Sequence, residues 1–347
     1  MRILCAGDEF ISPELLAAAV REQAGHAEIV THASRWPTDP WGSDAEIAEF
    51  AGNEKEIVDL IPGTDLLVTH LAPVTRRVLS AANRLRAVAV CRGGPVNVNV
   101  PAATKLGVPV LNLPGRNARA VAEFTVGLLI AGQRNIARSH AAMRHGQWSG
   151  DLYRYDRTGP ELAGRTVGVV GLGQIGTRVA DLLRPFGVRL LACDPYVDPD
   201  VATERGAELT GLDELCQRSD VVTLHARLTP QTRHLIDTAV LGRMRDGAYL
   251  VNTARGALID EAALISALRS GHLSGAALDT YAREPLPADS PLLTLPQVLA
   301  VSHLAGASRD VAERAARRIG ADAGRFLRGE PVANCVNPDV LTAPRGT

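Results

Sequence analysis

Gly171-Leu172-Gly173-Gln174-Ile175-Gly176 fits the pattern G-x-G-x-x-G. The apolar run Val167 to Val170 precedes it and the helical pattern Val179, Leu182, Leu183 and Phe186 follows, which is the strand–loop–helix context of a dinucleotide site. Gly171 permits the tight turn, Gly173 lets backbone N–H groups approach a pyrophosphate, and Gly176 lets helix and strand pack closely. Gln174 and Ile175 lead into the helix, whose N-terminus supplies a partial positive charge. Asp194 ends the second strand, eighteen residues after Gly176. A carboxylate there accepts hydrogen bonds from ribose hydroxyls and repels a 2′-phosphate, so the expected cofactor is NAD rather than NADP.

Three further segments carry reactive side chains: Asn252-Thr253-Ala254-Arg255-Gly256, Asp279-Thr280-Tyr281-Ala282-Arg283-Glu284-Pro285 and Ser302-His303-Leu304-Ala305-Gly306. An imidazole with an unperturbed pKa of about 6.5 suits general acid–base work near neutral pH. A guanidinium offers a planar fork for a carboxylate. Each segment follows a strand-like run, and in an open parallel sheet the carboxyl ends of the strands face the ligand crevice. Arg255, Glu284 and His303 can therefore converge from distant positions.

The elements that must position them alternate between short β-branched runs and helical patterns, the signature of parallel sheets covered by helices. Arg2 to Ala6 reads as a strand, Pro13 to Ala24 as a helix, and Glu28 to Thr31, Leu66 to Thr69, Leu85 to Val90 and Val108 to Leu111 as further strands. Residues 36–43, Trp36 through Trp41 to Ser43, read as a loop with aromatic anchors. Ala118 to His145 reads as one long helical stretch whose apolar residues exceed a single stripe. From about Gly164 to Ser302 six strand-like runs fit a doubly wound dinucleotide fold, and a helical tail begins near Ser308 and stops at Gly329-Glu330-Pro331.

The 347 residues carry a net charge of −1, which gives no electrostatic case for nucleic acid or an anionic membrane. Apolar residues make up 46% and charged residues 22%, values that exclude wholesale disorder. Asp8 and Glu9 interrupt the first apolar run before a signal peptide could form, and no uncharged run is long enough to span a bilayer. Cys5, Cys91, Cys193, Cys216 and Cys335 are scattered without metal-ligand spacing, so reduced thiols, no metal and a cytoplasmic location are expected.

From about Leu66 to Ala333, the glycine loop and the three strand-end segments resemble the D-isomer-specific 2-hydroxyacid dehydrogenases, a family that includes D-3-phosphoglycerate and glyoxylate/hydroxypyruvate reductases. The resemblance implies hydride transfer between NAD(H) and a D-2-hydroxy acid or 2-oxo acid, with a phosphorylated or sugar-derived acid among the candidates. It makes His303 the acid–base group, Glu284 its carboxylate partner and Arg255 the group that binds the substrate carboxylate. It also makes Asp279 the acid that holds the nicotinamide amide, and Ala226, Ala254 and Gly306 cofactor-lining residues. His225, in a segment similar to one that lines the cofactor, is read as structural.

The family resemblance further implies two doubly wound parallel-sheet domains: a Rossmann cofactor domain at 115–303 inserted into a flavodoxin-like substrate domain formed by 1–114 and 304–347. The chain is expected to end soon after this core, without an appended regulatory domain. The wide apolar face of 118–145 and the family together imply a homodimer. Two other readings share the scaffold: an NAD-sensing protein like the family's corepressors, and a formate- or phosphite-type dehydrogenase, although the family's formate enzymes carry Gln where Glu284 stands.

Three places depart from the family pattern. Arg227 and Ser302 stand where prolines are common. The loop Cys91-Arg92-Gly93-Gly94-Pro95-Val96-Asn97 is shorter than the family's substrate loop by about two residues; its Arg92, Gly93 and Gly94 are the expected substrate contacts. Arg92 and Arg116 are expected to place positive charge at the mouth of the cleft, for a substrate with a second anionic group or several hydroxyls.

Overall fold

The computed structural model describes residues 1–37 and 42–342. Thr38 to Trp41, and with them part of the expected aromatic loop, lie outside the described residues; Trp36 packs edge-on to Phe10, with ring centroids 6.0 Å apart. The chain divides into two compact units, Met1–Arg116 together with the chain from Ala307, and Asn117–Gly306.

The first unit holds a five-stranded sheet of β1 (Arg2–Asp8), β2 (Glu28–Ser34), β3 (Leu66–Thr69), β4 (Ala87–Val90) and β5 (Val110–Leu111). Every pairing is parallel and the order is β2-β1-β3-β4-β5, the flavodoxin-like arrangement. Successive side chains of β1 enter opposite cores. Ile3 and Cys5 join Leu16, Val20, Ala315 and Ile319, whereas Leu4 and Ala6 join Ile57, Val78 and Val88. Apolar residues at every position from Ile3 to Ala6 are what a sheet covered on both faces requires. The helix Pro13–Ala24 starts where Ser12 caps the N–H of Leu15 and Pro13 presets the first turn. It packs on the helix Arg309–Arg328 so closely that a Cβ on Gly320 would stand 2.8 Å from that of Ala19.

The second unit contains seven parallel strands: β6 (Thr166–Val170), β7 (Arg189–Cys193), β8 (Ala207–Leu209), β9 (Val221–Leu224), β10 (Ala248–Asn252), β11 (Leu273–Leu278) and β12 (Val298–Ala300). Their order, β12-β11-β10-β9-β6-β7-β8, is that of a Rossmann sheet with one added edge strand. The sequence reading counts six; β8 is the one it omits, an edge strand of three residues too short to show an alternating pattern.

The stretch 118–145 is two helices rather than one. Ala118–Gln133 ends at Arg134, Asn135 takes a left-handed conformation with φ 55°, and Ile136–Arg144 starts anew. The first helix spends its wide apolar face inside its own unit, where Ala122, Val126, Leu128 and Leu129 pack with Val167, Val179 and Val251. The second buries no residue. Among the described residues no helix is long and apolar enough to cross a membrane.

Candidate active site

The glycine loop leaves β6 at Gly171, whose φ of 91° suits glycine and where a Cβ would lie 2.7 Å from the backbone nitrogen of Ala226. A Cβ on Gly176 would strike the carbonyl oxygen of Gly171, so this glycine sets the approach of the helix Gly176–Leu183 to its strand. Gly173 differs from both: a Cβ there would meet nothing within 4 Å, which leaves its backbone open to an incoming group. Ile175 immediately precedes the helix, and the carbonyl of Gln174 accepts a hydrogen bond from Arg178. Asp194 follows β7 directly. One of its oxygens accepts the N–H of Leu172 at 2.8 Å and the other that of Tyr196 at 2.9 Å, so this carboxylate also braces the glycine loop. Open backbone at Gly173, a helix start and an acid at the end of the neighbouring strand together fit a dinucleotide bearing free ribose hydroxyls.

Arg255 is carried by a turn pinned from inside. The buried Asn252 amide donates to the Arg255 carbonyl at 2.9 Å and accepts the Ala254 N–H at 3.0 Å. The guanidinium itself donates to the carbonyl of Ala254. Gly256 has no room for a side chain, because a Cβ would collide with the backbone of Tyr281.

Nδ1 of His303 lies 2.7 Å from Oε2 of Glu284, while Oε1 of Glu284 accepts the Tyr281 N–H at 3.0 Å. A carboxylate only accepts, so Nδ1 carries the proton and Nε2 is the nitrogen that titrates. His303 itself sits at φ 54°, a left-handed conformation that is uncommon for a non-glycine residue. Asp279 holds it there: buried at the end of β11, it accepts the N–H of Leu304 at 2.6 Å and of Ala305 at 3.1 Å. Gly306 closes the turn against the side chain of Asn117.

The electrostatics follow from these contacts. The Glu284 hydrogen bond raises the His303 pKa, against burial, and the charges of Glu284 and Asp279 add to the rise while Arg255 opposes it. Burial works to raise the Glu284 carboxyl, but the His303 hydrogen bond and charge, the Tyr281 amide and Arg255 outweigh it and hold it below the usual value. Burial raises the Asp279 carboxyl despite its two amide donors. His225 is the opposite case. Burial drives it down to about 3, Thr223 bonds its Nε2 at 2.9 Å, and it stays neutral beside the glycine loop, as a structural histidine does.

In the first unit the expected substrate loop lies against the turn after β5. Asn112 donates to the carbonyl of Gly93 at 2.7 Å, and Gly94 is exposed with open space around it. Arg92 does not place a free charge there. Its guanidinium is ion-paired with the Glu49 carboxylate and donates to the Glu49 carbonyl at 2.9 Å, so its charge is neutralised locally. Arg116 is held by His70, and that histidine in turn by Asp8. These partners carried no local sequence signal, because each pair is separated by more than forty residues.

Residues 126–305 match the model of the D-isomer specific 2-hydroxyacid dehydrogenase, NAD binding domain. The chain belongs to the D-isomer specific 2-hydroxyacid dehydrogenases. Among relatives of this family, the glyoxylate reductase of Korarchaeum cryptofilum is 35% identical over 332 residues, spanning 95% of this chain and 98% of that protein. The D-3-phosphoglycerate dehydrogenase of Methanocaldococcus jannaschii is 40% identical over 312 residues, covering 86% of this chain; the match spans 58% of that dehydrogenase's length. The apo-structure of D-lactate dehydrogenase from Escherichia coli superposes with a TM-score of 0.78 at 28% identity, over 97% of this chain and 100% of that one. The family's NAD-binding domain thus contains the glycine loop, Arg255, Glu284 and His303.

Proposed function

We propose that this chain catalyses reversible hydride transfer between NAD(H) and a small D-2-hydroxy acid or 2-oxo acid. The observation that carries the reading is the His303–Glu284 pair. It leaves Nε2 of a 41% exposed imidazole as the titrating atom, next to a carboxylate that stabilises the imidazolium. Bound NAD supplies the hydride acceptor or donor at its nicotinamide ring. In the oxidising direction the C2 hydroxyl proton of the substrate passes to Nε2 of His303; in the reducing direction the imidazolium returns it to the carbonyl oxygen. Arg255 grips the substrate carboxylate with its planar fork.

Within this reading, residues 117–306 bind NAD through the loop Gly171, Gly173, Gln174, Ile175 and Gly176, with Asp194 at the ribose and Ala226, Ala254, Asp279 and Gly306 lining the cofactor. Gly93 and Gly94 remain the proposed backbone contacts for the acid in the first unit, where Gly94 has open space around it. Arg92, already paired with Glu49, holds that loop rather than the acid.

We further propose that the protein works as a homodimer. Ile136, Met143, Trp148, Tyr153 and Tyr155 expose 54, 51, 84, 94 and 98% of their surface within one stretch of chain, an apolar patch that a second copy would cover. The five free thiols fit a reducing compartment such as the cytoplasm. The decisive experiment is NADH absorbance with a panel of 2-oxo acids: turnover supports the proposal, and absence of turnover with every member rejects it. A monomeric mass by light scattering would reject the dimer alone.

A further inference from the structure

Tyr281 is packed in the core of the second unit, yet it touches the segments that carry Arg255, Glu284 and His303. Its backbone N–H donates to Oε1 of Glu284 at 3.0 Å, and the other oxygen of that carboxylate meets Nδ1 of His303 at 2.7 Å. Its backbone also stands against Gly256, the residue after Arg255, where a Cβ would come within 1.9 Å of the Tyr281 carbonyl carbon. Its hydroxyl reaches the neighbouring strand: Oη lies 2.8 Å from the carbonyl oxygen of Val301 and 3.1 Å from that of Leu278.

The Leu278 carbonyl already accepts the N–H of Val301 at 3.0 Å, so the shorter contact, to Val301, is the one the phenol adds. Leu278 and Ala300 are the last paired residues of β11 and β12. The phenol therefore supplies one more rung beyond the end of the ladder, two residues before His303. On the far side Asp279 anchors the N–H groups of Leu304 and Ala305. His303, at φ 54°, is thus held between two anchored points, and a left-handed backbone of this kind persists only where its surroundings fix it. The contacts form a closed circuit, from the Tyr281 hydroxyl to Val301, along the chain to His303, through Glu284 and back to the Tyr281 amide. Burial, with the nearby charge of Asp279, raises the phenol to about 12, so it keeps its proton and donates throughout the neutral range.

We propose that Tyr281 is a positioning residue whose hydroxyl fixes the chain ahead of His303, so that the imidazole meets a carboxylate held by the same residue's amide. Its kinetic consequence rests on the dehydrogenase reading above; its effect on the pair does not. The hydroxyl takes no part in proton or hydride transfer and acts only through His303 and Glu284. A phenylalanine ring fills the same core and lacks just the donor. Without that donor, residues 301–303 relax toward ordinary backbone and the imidazole draws away from Glu284. It then loses the hydrogen bond that is the main cause of its raised pKa.

The test is an NMR titration of the His303 imidazole in the parent and in Tyr281→Phe, without substrate, the resonance being assigned by its loss in His303→Asn. In Tyr281→Phe the His303 pKa should fall toward the ordinary value of about 6.5. The kcat for 2-oxo acid reduction should fall by about tenfold to a hundredfold, since misplacing a reacting group by an ångström costs about the latter. The NADH dissociation constant should hold. Tyr249→Phe is the control: its hydroxyl is also buried in this unit but has no partner among the described residues, so its removal should leave titration and kcat unchanged. In a Glu284→Gln background, Tyr281→Phe should shift His303 no further, because the pair through which it acts is already broken. An unchanged His303 titration in Tyr281→Phe, a shift that persists beside Glu284→Gln, or an equal shift in Tyr249→Phe overturns the proposal. A lower Tm with titration and kcat unmoved marks a purely structural hydroxyl and overturns it as well. If the parent reduces no 2-oxo acid, the dehydrogenase reading fails while the titration still decides whether Tyr281 sets the pair.

Discussion

Oε2 of Glu284 and Nδ1 of His303, 2.7 Å apart, form a pair in which each partner's charge favours the charged form of the other. In the proposed reaction, reduction of a 2-oxo acid needs the imidazolium, so its rate should be full below the raised His303 pKa and decline as pH rises through it. Glu284→Gln removes the main cause of that rise, and the declining limb should move to lower pH. The rising limb of the oxidation rate should move the same way. The stability that the pair contributes through His303 is complete below the unfolded value of about 6.5 and disappears as pH rises through the folded value. Identical pH–rate profiles for the two proteins would contradict the assignment.

His303→Asn separates geometry from chemistry. Asparagine tolerates a left-handed backbone better than most residues, so the turn at φ 54° should survive with little change in Tm. An amide cannot exchange the proton, and kcat should fall by about 10²- to 10⁴-fold, the usual worth of a positioned acid–base group. NADH affinity, read by fluorescence titration, should hold.

Asp279→Ala strips the acceptors from the N–H groups of Leu304 and Ala305. Each buried N–H left without a partner costs roughly 1–3 kcal/mol, so the melting temperature should drop measurably. The turn carrying His303 should loosen as well, lowering kcat. An unchanged Tm would show that the 303–305 turn does not depend on this carboxylate.

Gly173→Ala and Gly176→Ala should behave oppositely although three residues apart. The first puts a methyl group into open space, so stability holds while NADH affinity weakens because the approach of the pyrophosphate is obstructed. The second drives a Cβ into the Gly171 carbonyl and should cost about 1–3 kcal/mol of stability. Paired melting curves and cofactor titrations check both.

Asp194→Ala should weaken NADH binding and narrow the preference over NADPH, since the carboxylate that repels a 2′-phosphate is gone. The same change frees the Leu172 N–H and slackens the glycine loop, so some loss of Tm should accompany it. A preference that stays as wide as in the parent would remove Asp194 from the ribose site.

What the sequence discloses is local. The strand before the glycine loop, the helix after it, and the helix Pro13–Ala24 can be read from short windows, because apolar spacing acts over a few positions. The placement of Glu284 and His303 at successive strand ends is legible for the same reason, yet their 2.7 Å contact is not; here the resemblance to a family supplied what spacing could not. Asp8, His70 and Glu49 stay hidden, since nothing near them in the chain shows that each will meet a residue far away. The break at Asn135 is hidden too: its neighbours favour a helix, and only the backbone conformation at that one residue interrupts it.

Because Ala315 and Ile319 of the helix Arg309–Arg328 share one core with Leu16 and Val20, the unit that contains β1 cannot finish its interior until the chain has been made past that helix. The other unit, continuous from Asn117 to Gly306, faces no such delay. On the ribosome the unit Asn117–Gly306 should therefore mature first, leaving β1 and its partner strands waiting with apolar surface uncovered, the stage at which this chain is most exposed to aggregation.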